Sequence, residues 1–471
     1  MAVAGRDRGH GGEERLTVTV LSVSGVVRVE MFEPDEQSRR DLLKAAVAIG
    51  GSAGLSACLG WLGADSEPVP RGDGTTHERQ FTWNDRLPAD DHGNTRLPRH
   101  QVLLYLDYDR EGPPTAADRE TVEAAFASLD EAYDRSNEGL LYSVAYSPAY
   151  FDRFEASLPE TVDLPPPRRL SDFESPTLDE QDALVHLASD RPDAVLGAER
   201  ALLGERDAAN GVETAASLAD VMTVDSRRTG FVGEGMPAAR RNVEGVPDSN
   251  PVPEASPLFM GFKAGFAGNQ ATEEYVTIDA GLWRGATTKH VANLRQRLDD
   301  WYVEHDRDER VEELFSPAHA ERGLVEGAGE NLGDHNGLTP EMMETIREQA
   351  AASGRVGHAQ KAARANRDEA GNVRLLRRHF ESIDAEFNPD GEGFPDQEGG
   401  VASLHFPSLQ RGISAFEEVR EAMNGTDLTD IPAIRTRVNN GILEYVFVRH
   451  RGNFLVPPTE LRALPPVRPE R

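Results

Sequence analysis

The sequence predicts an α+β fold built from two ferredoxin-like β-α-β-β-α-β halves. Short apolar segments with strand character alternate with segments of helical periodicity, and this alternation occurs twice along the 471 residues. A chain of this length has room for two or three domains. We divide it into a signal region (1–58), a flexible acidic tether (59–98), an N-terminal half (99–250) and a C-terminal half (251–471).

The elements of the N-terminal half follow from periodicity. Residues 101–106 form an apolar run typical of a buried strand. The next segment, 116–133, places its apolar residues on one helical face. Strands are predicted over 139–146 and 183–188, a helix over 192–203 and a last strand over 221–224. Together they give the β-α-β-β-α-β order.

The C-terminal half repeats the pattern less regularly. We predict strands over 275–278, 401–406 and 442–448, and helices over 287–302 and 414–423. Between them, Thr339 and Pro340 are typical of a helix start, and Gly354 is typical of a helix end. His358 is therefore expected in the connection just after a helix.

Charge composition disfavours nucleic acids as partners. The chain has 81 acidic residues, 50 Lys plus Arg and a net charge of −31. Lysine occurs only at Lys44, Lys263, Lys289 and Lys361, so arginine supplies nearly all the positive charge. This pattern is typical of proteins adapted to concentrated salt, and it disfavours nucleic-acid binding.

An export signal is predicted near the start. Arg39 and Arg40 belong to the segment Ser38-Arg39-Arg40-Asp41-Leu42-Leu43-Lys44, which is typical of a twin-arginine signal. The apolar run 45–55 that follows is too short to span a bilayer. It leads to Leu55-Ser56-Ala57-Cys58, which resembles a lipobox. An ordinary small-residue helix is the alternative.

From these features we expect export and lipidation of Cys58, which would anchor the mature chain outside the cytoplasmic membrane. Met31 is the expected true start, because the strand-like stretch 16–29 has no role in such a signal. Cys58 is also the only cysteine, so an intrachain disulfide and a multi-cysteine metal site are excluded.

Three motifs carry the chemical information: Gly261-Phe262-Lys263-Ala264-Gly265, Gly357-His358-Ala359 and Leu376-Arg377-Arg378. Their order and spacing resemble the haem pocket of the dye-decolourising (Dyp-type) peroxidases. In that family the first motif reads Gly-x-x-Asp-Gly, a histidine binds the iron and an arginine lies over the opposite face. Ala264 stands where the family has aspartate.

Weaker similarities support the same family. Residues 182–190, 285–301, 404–416 and 452–458 resemble successive segments of its two halves. The resemblance therefore covers residues 100–458 and implies two ferredoxin-like halves, with the haem in the second.

The resemblance implies a haem b bound through His358, with Gly261, Phe262, Gly265 and Arg377 around it. Hydrogen peroxide and an unknown small reducing substrate would be the reactants. Ala264 cannot transfer a proton, a step for which general acid–base help is typically worth about 10²–10⁴-fold. Glu273 or Glu274 is a conceivable substitute acid.

Two functions from different classes remain open. One is an exported haem peroxidase, weakened by the missing aspartate. The other is a non-catalytic haem-binding or iron-uptake-related lipoprotein. A scaffold without haem is a third alternative, in which His358 is an ordinary histidine and Arg377 pairs with one of many carboxylates. The sequence leaves the existence of a homo-oligomer open.

Overall fold

The structure is a computed structural model. It describes residues 67–469 except 241–242, 244–245, 250 and 385–400, together with the backbone of three strands near the start. These strands are β1 (Ala2–Asp7), β2 (Arg15–Ser22) and β3 (Gly25–Phe32), which form their own antiparallel sheet. The predicted signal motif, apolar run and lipobox lie outside the described residues.

Residues 100–231 follow the predicted order closely. Thr115 caps the first helix through a reciprocal pair of hydrogen bonds with Asp118. The elements are β4 (His100–Tyr108), α1 (Ala116–Ala132), β5 (Leu141–Tyr146), α2 (Pro148–Phe151), β6 (Thr177–Asp179), β7 (Ala183–Ser189), α3 (Pro192–Leu202), β8 (Ala208–Ala209), β9 (Val212–Glu213) and β10 (Met222–Phe231).

Residues 287–456 hold a second set of strands with more helices inserted between them. The elements are β11 (Thr287–Gln296), α4 (Leu298–Val303), α5 (Arg307–Leu314), α6 (Pro317–Glu321), α7 (Pro340–Glu344), α8 (Ile346–Ser353), α9 (His358–Ala363), β12 (Leu376–Arg377), β13 (Phe380–Asp384), β14 (Val401–Gln410), α10 (Ile413–Asn424) and β15 (Val446–Val456).

Two predictions in this part are wrong. The helix predicted over 287–302 is strand β11 followed by the short helix α4. Its polar residues Lys289, Asn293 and Gln296 recur at a helix-like spacing, but all three are buried in a strand that pairs on both sides. The strand predicted over 275–278 is a turn, because the Val276 and Thr277 backbone N–H groups donate to the Thr272 and Glu274 carbonyls and not to another strand.

Smaller corrections concern boundaries. The helix predicted from Thr339 to Gly354 is two helices, α7 and α8, that meet at Thr345. The last strand begins at Val446, because residues 441–444 form a 3-10 turn. The predicted tether also ends earlier than residue 98: Phe81 and Trp83 are buried in the folded body, and they sit in a stretch otherwise poor in apolar residues.

Ten of the described strands form one closed sheet, which confirms the α+β class. Within the described residues the order is β11-β14-β13-β10-β4-β7-β5-β15, and β15 pairs again with β11. Strands β10-β4-β7-β5 come from the first set and β13-β14-β11-β15 from the second. The β10–β13 and β5–β15 seams each contain one residue pair, Phe231 with Glu381 and Leu455 with Tyr146. Strand β6 of the first set also pairs with β15, over three residues.

The apolar core has two main layers. One lies between α1, α3 and their sheet and includes Val122, Phe126 and Leu129. The other contains Leu103, Tyr105, Val291, Phe380 and Phe454, which come from strands of both sets. Among the described helices, none combines the length and the apolar composition that a membrane crossing requires.

A lysine is buried on β11 without a charged partner. The Lys289 side chain is 3% exposed, and its Nζ donates to the Ser143 hydroxyl at 3.0 Å. The His186 ring lies 3.5 Å from the same nitrogen. No carboxylate in the described part of the chain forms an ion pair with it. Burial, with a smaller effect of Arg378, lowers the pKa of Lys289 to about 7.

Burial of the Lys289 amine should destabilise the folded protein by an amount that depends on pH. Below pH 7 the amine is protonated in both the folded and the unfolded chain, so the cost of burying its charge is fully present. Between pH 7 and the unfolded pKa of 10.5, only the folded chain has lost the proton, so this cost falls as pH rises. Replacing Lys289 by Met should therefore stabilise the protein most at pH 6–7, and the gain should shrink towards pH 10. Urea unfolding across this range measures it, with Lys263→Met as the control. A gain that does not change with pH would contradict the assignment.

Candidate functional site

His358 is the first residue of α9, not part of a connection as predicted. Gly357 precedes it and caps the helix. A Cβ at Gly357 would lie 1.9 Å from the Phe315 carbonyl oxygen, so only glycine allows the chain to approach the end of α5 this closely. On the other side Gly441, at φ +60°, packs against the His358 backbone. The two glycines fix where the histidine begins its helix.

The His358 imidazole is held neutral. Burial lowers its pKa to about 3, with further lowering by the cations Lys361, Arg377 and Arg420. The side chain is partly accessible, and no described residue forms a hydrogen bond with its ring. A neutral imidazole without a hydrogen-bond partner keeps a nitrogen lone pair free, which is the state required of a metal ligand.

Arg377 lies on β12 and is held by a neutral side chain. The Gln270 Oε1 atom accepts hydrogen bonds from the Arg377 backbone N–H at 3.0 Å and from its Nε at 3.1 Å. The Gln270 amide nitrogen donates to the Arg377 carbonyl at 3.1 Å. The guanidinium also donates to the Asn269 carbonyl at 3.0 Å. Within the described residues, no carboxylate forms an ion pair with Arg377. Burial lowers its pKa to about 10, so it stays charged at neutral pH.

Arg378 points to a different partner. Its guanidinium forms an ion pair with Glu273 at 2.9 Å and lies over the Trp83 ring, 5.1 Å from the centroid. Glu273 also accepts from the Trp83 and Asn84 backbone N–H groups, at 2.6 and 3.0 Å. Glu274 is largely exposed and lies 3.3 Å from Arg79. In the described part of the chain, neither glutamate forms an ion pair with Arg377.

The Gly261–Gly265 motif forms a turn whose two end glycines have φ values of +88° and +79°. Phe262 is buried and packs edge-to-face on Phe315, with ring centroids 5.6 Å apart. Because the Phe315 carbonyl contacts Gly357, this packing connects the motif to the start of α9. Gly261 and Phe262 therefore shape the backbone, while Ala264 and Gly265 face a cavity.

That cavity, which we name the Arg377 cavity, has a volume of about 670 Å³. Its lining brings Ala264, Gly265 and Arg377 together, and Glu273 and Glu274 also line it. Gln270 and His379 also line it, and the sequence analysis missed both. His358 is not among its described lining residues, although Arg377 is near enough to lower the pKa of His358.

His379 is a buried histidine in this lining. Burial and then Arg377 lower its pKa to about 3, and its Nδ1 atom has no hydrogen-bond partner in the described part of the chain. Its position directly after Arg377 and Arg378 was the available sequence signal. Gln270 gives no such signal, because its role depends on a contact across 107 residues. No group of three or more His, Cys, Asp or Glu side chains in the described regions is arranged to hold a metal ion.

The chain belongs to a family of unknown function, DUF7405, whose model matches residues 98–458. No curated protein matches the sequence.

Solved structures similar to the chain include three dye-decolorizing proteins. One is a dye-decolorizing protein from V. cholerae, 13% identical, with a TM-score of 0.48 over 81% of this chain and 99% of the other. The encapsulated DyP-type peroxidase from Mycobacterium smegmatis is 14% identical, with a TM-score of 0.49 over 82% and 100%. A dye-decolorizing peroxidase from Bacteroides thetaiotaomicron is 12% identical, with a TM-score of 0.48 over 81% and 99%.

Proposed function

We propose that this chain is a Dyp-type haem protein with two ferredoxin-like halves, in which His358 binds the iron of one haem b. The observation that carries the proposal is the state of His358: a neutral imidazole with no hydrogen-bond partner among the described residues, near the buried cation Arg377. The sequence motifs around both residues support the same pocket. The strand orders β10-β4-β7-β5 and β15-β11-β14-β13 support the proposal of two ferredoxin-like halves.

The residues present fit a haem. His358 would supply a nitrogen ligand to the iron, and its low proton affinity keeps that nitrogen available. Arg377 would be a fixed cation near the bound group. The single cysteine excludes the two-cysteine attachment of a c-type haem, which agrees with a haem b held without covalent bonds.

A bound haem would supply the iron centre at which hydrogen peroxide is reduced while a small donor is oxidised. In such a site Arg377 would stabilise negative charge on the peroxide oxygens through its guanidinium donors. Gln270 holds the guanidinium by hydrogen bonds to its Nε and to its backbone, so little reorganisation is needed. Ala264 neither accepts nor releases a proton. The proposed peroxidase therefore has charge stabilisation without acid–base help, and its activity is weak.

One observation favours a second function. Position 264 is alanine, so the aspartate of the resembled motif is absent. Glu273 is already paired with Arg378 and hydrogen-bonded to two backbone N–H groups. A site that has a candidate iron ligand, lacks the acid at position 264 and holds Glu273 in an ion pair suits a non-catalytic haem-binding or iron-uptake-related lipoprotein. The two functions share His358 and differ in whether peroxide is consumed.

The proposal includes a location outside the cytoplasmic membrane. Arg39 and Arg40, the apolar run and Cys58 follow one another in the order of a twin-arginine lipoprotein signal. Lipidation of Cys58 would anchor the mature chain to the membrane. Cell fractionation tests this: the account expects a membrane-bound chain that begins at Cys58, and changing Arg39 and Arg40 to Lys should leave precursor in the cytoplasm. Intact chain found soluble in the cytoplasm would refute it.

Replacing His358 by Ala tests haem ligation. The wild-type protein, folded in the presence of haem, should show a Soret band with one haem per chain, and the variant should lose or strongly shift this band because the iron loses its nitrogen ligand. His92→Ala is the matched control, since His92 is exposed. An unchanged spectrum in the His358 variant would exclude this residue as the ligand.

Replacing Ala264 by Asp separates the two functions. In a competent peroxidase, the new carboxylate beside Arg377 should raise the rate of reaction with peroxide by on the order of 10²-fold, which general acid–base help can supply. Ala264→Asn is the control, because it has nearly the same shape and cannot carry the proton. Stopped-flow absorbance of the haem-loaded proteins measures the rate. Equal rates for Asp and Asn, with haem bound, would favour the non-catalytic protein.

A further inference from the structure

A second cavity, of about 500 Å³, lies where β11 ends and β15 begins. Four arginines line it, Arg295, Arg297, Arg437 and Arg449, and Glu174 is the one carboxylate among its described lining residues. We name it the arginine cavity. It shares no described lining residue with the Arg377 cavity. In a chain whose acidic residues outnumber Lys plus Arg by 81 to 50, this local ratio is reversed.

The backbone places these cations around one aromatic ring. Arg295 and Phe447 are direct partners in the β11–β15 pairing. The Arg437 guanidinium stacks over the Phe447 ring, 3.8 Å from its centroid, and that of Arg297 lies 5.8 Å from the same centroid. Arg437 Nε donates to the Leu443 carbonyl at 2.8 Å. Its Nη2 also donates to the Glu444 and Val446 carbonyls at 3.3 and 3.4 Å. The ring and these carbonyls fix the guanidinium plane without an acidic partner.

The one carboxylate that lines the cavity is shared with other cations. Glu174 accepts from Arg451 at 3.0 Å on each oxygen and from Arg420 at 3.1 Å, so two further cations already share it. Arg297 pairs with Asp300, and Arg295 and Arg449 have other interactions within the protein. Arg437 has no carboxylate within ion-pair distance among the described residues. Burial lowers the pKa of Arg437; the nearby Glu444 carboxylate opposes this effect, and Arg297 adds to it.

We propose that the arginine cavity binds a small oxyanion with two or more negative charges, such as phosphate or a polycarboxylate. A guanidinium offers two parallel N–H donors that match the spacing of carboxylate or phosphate oxygens. Several such groups facing one cavity would bind a polyvalent anion better than a monovalent one, because each added charge meets another cation. Nothing in this site depends on haem.

Calorimetric titration of the full chain tests the proposal, with phosphate and citrate as probes and chloride used to keep ionic strength constant. We expect both probes to bind, with affinities that differ and so identify the preferred oxyanion. Replacing Arg297 or Arg437 by Gln should weaken binding at least about tenfold, since a hydrogen bond to a charged group is lost. Arg437→Lys should fall between wild type and Gln, because it keeps the charge and loses the paired donors.

Arg347→Gln is the matched control, since it removes the same charge from an exposed pair with Asp430. It should bind the probes as wild type does, and so should His358→Ala. Absence of binding by the wild-type chain would overturn the proposal. So would an equal loss in Arg347→Gln, which would indicate a general charge effect, or a loss in His358→Ala, which would make the cavity part of the haem site. Arg297 is partly exposed, so its replacement tests the cavity without disturbing the core.

Discussion

The pairing of β11 on both of its edges is the constraint on which the rest of the structure depends. One edge pairs with β14 over eight residues and the other with β15, and this closes the sheet. Closure buries the polar residues of β11. It also places β14 where the short strand β12 can pair with it, at Leu376 and Arg377. The position of the buried arginine therefore follows from the closed sheet, and the cost of burying Lys289 is a consequence of the same closure.

Burial also determines the charge states on which function would depend. In His358 and His379 it favours the neutral ring, whereas the arginines keep their charge because their ordinary pKa is so high. The result is an uncharged nitrogen donor near a permanent cation. Gln270 holds Arg377 in place through neutral hydrogen bonds. An ion pair in the same position would reduce the positive potential that Arg377 presents to a ligand.

How much the sequence predicts differs between local and long-range features. Strand β4 and helix α1 are predictable because their apolar periodicity and the Thr115 cap are local signals. Strand β11 is not predictable, because its polar residues have the spacing of a polar helix face. Only its pairing with β14 and β15 explains why they are buried in a strand.

The candidate site shows the same limit. His358 and Arg377 could be selected from motif spacing, and the structure places Ala264 and Gly265 with Arg377. Gln270 acts through a contact distant in sequence, and the arginine cavity gathers residues from 173 to 449. Such sites exist only after folding, so no local pattern indicates them.

The central claim is that His358 is the iron ligand of a bound haem. Resonance Raman spectroscopy of the ferrous, haem-loaded protein tests it most directly, because the iron–histidine stretching band reports the bond itself. We expect this band in the wild-type protein, a shift of the band when the histidines carry nitrogen-15, and its loss in His358→Gly with recovery when imidazole is added. A wild-type protein that binds no haem, or a band that persists unchanged in the His358 variant, would contradict the account.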